Sequence, residues 1–94
     1  MITIKSIIEL GNNITKLREE EYSQVEVSLE FMKFVKKAQH ASSTDEATDV
    51  ACQIVDSILD WQSTLNVFGY DKPDKEFLLK VKNLVFSWVE ENCK

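Results

Sequence analysis

Glycine and proline are nearly missing from this 94-residue chain, with two of the first and one of the second. Folds made of many tight turns need more of both, so sheet-rich sandwiches and barrels are disfavoured, and a few long helices joined by short loops are expected. Cysteine is also sparse. Cys52 and Cys93 lie far apart with no CxxC pair, which suggests neither a zinc knuckle nor a redox motif; two reduced thiols are expected, with a bridge within or between chains as the alternative. Basic charge is in deficit, 11 Lys and Arg against 16 Asp and Glu, for a net charge of -5. Direct nucleic-acid binding relies on Lys and Arg to displace counterions, and is not expected here. Apolar runs are only a few residues long, far short of the roughly 20 needed to span a bilayer. Met1 to Leu10 lacks the basic start and cleavage site of a secretory signal, so a soluble protein of the cytoplasm is expected, with no membrane contact.

What is present is helical periodicity. Ala47, Ala51, Ile54, Ile58, Trp61, Leu65 and Phe68 follow in steps of four and three, the repeat that keeps side chains on one seam between packed helices. Ser43-Thr44-Asp45-Glu46 before it has the form of a capping box, and Gly69 after it suits the left-handed residue that ends a helix. Pro73 fits the first turn of a following helix that runs to about Asn92. Its seam is Phe77, Val81, Leu84 and Trp88, flanked by Leu78, Val85 and Val89, with Leu79 and Phe86 turned away. A short connection implies antiparallel pairing, with Phe68 on Phe77, Leu65 on Val81, Trp61 on Leu84 and Ile58 on Trp88. Both tryptophans are expected in the core.

The first half is less regular. Ile2, Ile4, Ile7, Ile8 and Leu10 suit a short helix capped by Thr3, or a strand, and a helix boundary or a kink is expected at Gly11-Asn12-Asn13. A long helix is then expected from Ile14 to Gln39, with Glu19, Glu20 and Glu21 early and Lys33, Lys36 and Lys37 late, as a helix dipole favours. Val25, Val27, Leu29 and Phe31 alternate like a strand, but no turn residue stops the run before Ala38. His40 falls at its end, where an imidazolium complements the dipole. As a helix, this segment is apolar on two sides. Val27, Phe31, Phe34 and Ala38 would pack on the third helix, with Phe31 near Ile54 and Val27 near Ile58, and the second helix would also lie against the small Ala47 and Ala51. Val25, Leu29 and Met32 need another cover, for which a homodimer contact is one candidate.

The expected fold is a single-domain, all-α, small antiparallel bundle of one short N-terminal helix and three longer ones. Its most informative polar feature lies on the third helix. Positions 44–68 hold Asp45, Glu46, Asp49, Asp56 and Asp60 and no Lys or Arg, while acidic and basic residues balance elsewhere. Asp45, Asp49, Asp56 and Asp60, with Gln53 and Ser63 beside them, fall within a narrow arc opposite the seam. Asp is a poor interior helix former, and Asp56 and Asp60 repel one turn apart, so stability alone would not select them.

Glu46, Asp49 and Asp56 also resemble one half of the carboxylate pattern of MazG-like nucleotide pyrophosphohydrolases, all-α enzymes, which implies Mg²⁺ and nucleotide hydrolysis. Glu19 to Glu21, Glu26 and Glu30 do not supply the second E-x-x-E which that family carries. No catalytic constellation, metal set, phosphate loop or cofactor motif stands out, and no enzyme is expected. The expected activity is that of an acidic protein-binding module, sharpened to an inhibitor of immunity or anti-defence type, from a mobile element, that blocks a basic, nucleic-acid-binding protein partner through Asp45, Asp49, Asp56 and Asp60. Bacteriocin immunity proteins are similar in being small helical bundles. The alternatives are a homo-oligomeric structural or adaptor bundle and the MazG-like hydrolase.

Overall fold

A computed structural model describes residues 2–25, 27–68 and 73–93, with side chains over the same span except 65–68 and 73–74. Four helices follow in order, α1 (Ile4–Glu21), α2 (Leu29–Gln39), α3 (Thr44–Phe68) and α4 (Pro73–Asn92), and no strand occurs among the described residues. Each helix packs on the next in the chain, α4 closes on α1, and α1 also meets α3 across the bundle. Directions alternate: Asn12 bonds Gln39, Phe31 lies against Trp61, Trp61 against Phe77, and Tyr22 against Phe77. This is an up-down-up-down, all-α four-helix bundle.

Thr3 does cap the first helix: its Oγ1 accepts from Ser6 N at 3.1 Å and its own N donates to Ser6 Oγ at 2.9 Å. The helix does not stop at Gly11-Asn12-Asn13, however, and α1 is not short. Ile7, Leu10, Gly11 and Ile14 form a buried seam that continues straight through, and at Gly11 the α2 backbone comes close. A Cβ there would lie 3.1 Å from Val35 O and from Gln39 N. The glycine serves close approach, not a turn.

The long second helix expected from Ile14 to Gln39 is likewise divided. Tyr22 ends α1, its N–H bonded to Arg18 O, and Ser28 begins α2, its Oγ accepting from Phe31 N at 3.5 Å. Between them, buried Tyr22 and Val25 tuck into the core and Arg18 Nη2 donates to Val25 O at 2.8 Å, so tertiary anchors replace a Gly or Pro signal. Glu19, Glu20 and Glu21 therefore sit in the last turn of α1, where the dipole disfavours them; Lys80, 3.8 Å from Glu21, offsets part of that cost. Lys36 and Lys37 do lie in the last turn of α2, and His40 is its C-cap.

At α3, Ser43 Oγ accepts from Glu46 N at 3.1 Å, as a cap should. The Glu46 carboxylate reaches past Ser43 to the N and Oγ of Ser42, at 3.1 and 2.8 Å. Ala47, Ala51, Ile54 and Ile58 are buried, joined by Val50, which widens the seam. On α4, Phe77, Leu78, Val81 and Val85 are fully buried, whereas Leu84, Trp88 and Val89 are half-buried at the core's edge.

The expected pairing between α3 and α4 is out of register. Trp61 stands against Phe77, centroids 6.0 Å apart, instead of Leu84, and Trp88 turns to α1, donating Nε1–H to Ser6 O at 2.9 Å. Phe31 stands 6.0 Å from Trp61, further along α3 than the expected Ile54. One aromatic cluster, Phe31, Trp61, Phe77 and Tyr22, thus bridges all four helices. The Gly69 cap, Glu26, and the Phe68–Phe77 and Leu65–Val81 pairs lie outside the described residues or side chains.

Candidate functional site

Burial of the α3 seam fixes which face is left outside. Asp45, Asp49, Asp56 and Asp60 are all exposed, together with Gln53 and Ser63, on the side away from Ile54 and Ile58. At a rise of about 1.5 Å per residue the row extends ~22 Å. Among the described residues the ion pair within 4.0 Å is Lys80–Glu21, so none of these aspartates is paired with a described Lys or Arg. Asp45 lies in the first turn, where the helix dipole accounts for it; Asp49, Asp56 and Asp60 have no such support.

The lower half of the row borders a groove between α2 and α3. Glu30 and Phe34 of α2 face Gln53, Asp56, Ser57 and Asp60 of α3 across a space of about 340 Å³. It leads into a second of about 220 Å³ where Phe31 and Trp61 join Ser28, Ser57, Asp60 and Thr64. Asp45 and Asp49 line neither. Glu30, Phe34 and Trp61 are the residues sequence reasoning did not place here. Their juxtaposition depends on where α2 begins, and the Ser28 cap followed by an acidic first turn was the available signal.

The carboxylates of the MazG-like pattern do not converge. Glu46 is held by Ser42, whose hydroxyl and amide bonds lower its pKa below the usual 4.5. Among the described residues no group of three His, Cys, Asp or Glu is placed to hold a metal ion. Cys52 and Cys93 are free and exposed.

Val25, Leu29 and Met32 do not form one face. Val25 is buried in the chain's own core, Met32 is half-buried, and Leu29 is 90% exposed at the start of α2. Among the described residues no helix is long and apolar enough to cross a membrane. No family model, curated protein or solved structure matches this chain.

Proposed function

We propose that the chain is a small protein-binding module that acts by occlusion rather than by chemistry: an inhibitor, of the immunity or anti-defence kind found on mobile elements, that covers a basic, nucleic-acid-binding surface of a partner protein in the cytoplasm. The observation that carries this reading is the exposed row of Asp45, Asp49, Asp56 and Asp60 with no cation of the chain's own paired to it among the described residues. Such a one-sign face speeds encounter with a basic surface and fixes its orientation. The aspartates at 49, 56 and 60 are suboptimal for helix stability, which further supports selection for binding.

The test is affinity capture from the native host with the wild-type chain and with Asp49→Asn/Asp56→Asn/Asp60→Asn. The reading expects a basic protein that the variant, still helical by circular dichroism, recovers poorly. Equal recovery refutes it. A second reading, a homo-oligomeric structural module, is favoured by the exposure of Leu29. Light scattering separates the two: an oligomer gives a mass above 10.8 kDa that falls on Leu29→Glu.

A further inference from the structure

We infer that the groove between α2 and α3 is the place where the partner is gripped, and that its occupant is an arginine side chain presented by the partner's basic surface. The inference rests on the acidic-face reading and narrows it to a locus. In its first two turns α3 offers Asp45 and Asp49 to open water. At the groove the arrangement changes: Glu30 stands on the α2 wall, Asp56 and Asp60 on the α3 wall, and Phe31, Phe34 and Trp61 line the space between. Carboxylate on both walls selects a cation. Aromatic lining selects one that gains from leaving water, and the guanidinium, planar and weakly hydrated, stacks on rings while its fork of N–H donors engages carboxylates.

The chain itself shows that the ring of Phe34 accepts a cation, since Lys37 Nζ lies 5.8 Å from its centroid. That ammonium lies one turn along α2 from Phe34 and is not among the groove's lining residues. Each space, about 340 and 220 Å³, admits a side chain and is too small for a folded element, so the occupant enters as a projecting residue.

The experiment is a titration of the ¹⁵N-labelled full chain at low salt with blocked Gly-Arg-Gly-Arg-Gly and, separately, its lysine counterpart. The groove predicts chemical-shift changes concentrated at Glu30, Phe34, Asp56, Asp60 and the Trp61 indole N–H, with Asp45 and Asp49 little moved. It also predicts at least threefold tighter binding of the arginine peptide. Phe34→Leu, which keeps bulk but removes the ring, and Glu30→Gln, at an exposed position, should each weaken that binding several-fold. Shifts spread evenly from Asp45 to Asp60, with no preference for arginine and no effect of Phe34→Leu, overturn the groove and leave the acidic-face reading standing. Absence of any shift on α3 with either peptide overturns both.

Discussion

Replacing Gly11 with alanine sets two calculable effects against each other. In a bare helix the change stabilises by about 1 kcal/mol, because glycine loses more backbone entropy on folding. Here the added Cβ would stand 2.8 Å from Gln39 Cγ and 3.1 Å from both Gln39 N and Val35 O. The Gln39 side chain can swing aside, but two of the three obstacles are backbone. Relieving them requires α1 and α2 to part, and Val35 and Ala38, both fully buried, resist that movement. Overpacking of this kind costs roughly 1–3 kcal/mol, so the balance is a net loss of about 1 kcal/mol. In a domain of this size each kcal/mol moves the melting temperature by ~4–8 °C. Thermal and urea denaturation followed by circular dichroism should therefore place Gly11→Ala below wild type, with Asn13→Ala, exposed two positions on, at or slightly above it. A rise for Gly11→Ala as large as the bare-helix gain would refute the close approach of α1 to α2, and a loss for Asn13→Ala would count against the continuity of α1.

The remaining expectations concern the core, the acidic face and two titrating groups. Ile54→Ala empties a fully buried position and should cost about 2–5 kcal/mol. Asp56→Ala, on the opposite face, should stabilise by a few tenths to about 1 kcal/mol by restoring helix propensity and relieving repulsion from Asp60; a loss instead would mean that Asp56 is structural. Burial, with the hydrogen bond Tyr22 donates to Glu76, raises the tyrosine pKa above 10.0. The folded state then keeps a proton that the unfolded chain releases, so this contribution is whole below pH 10 and is lost as pH rises through the folded value. Melting between pH 9 and 12 should fall less steeply for Tyr22→Phe than for wild type, and equal slopes would count against the linkage. Ser42 holds the Glu46 pKa below 4.5, a contribution present above that pH and lost as pH falls through the folded value. Ser42→Ala should move the Glu46 titration, read by NMR, back upward; an unchanged midpoint would contradict the assignment.

The half of the fold nearest the C-terminus was legible in the sequence because its boundaries are local. Ser43 bonds the first turn of α3, Pro73 opens α4, and neither depends on a distant contact. The first half was not, because its one conspicuous break signal is used for packing and its true break carries no Gly or Pro, only the Ser28 cap before an acidic first turn. Gly11 admits the α2 backbone, while the chain turns at Tyr22 to Ser28 through burial of Tyr22 and Val25 and the bond from Arg18. Pairing across the bundle was misjudged for a related reason. Counting outward from loop midpoints ignores the size of the rings, and Trp61 settles between Phe31 and Phe77. The acidic row needed only a 3.6-residue period and is exposed as expected. The groove beside it needed the register of α2, which the misplaced helix boundary hid.

The association rate between the chain and the partner it recovers, measured by stopped flow at low and at tenfold higher salt, tests the central claim most directly. For wild type the rate should fall about tenfold or more, as electrostatic steering is screened. For Asp49→Asn/Asp56→Asn/Asp60→Asn it should begin lower and change little. Equal rates with equal salt dependence would contradict the account.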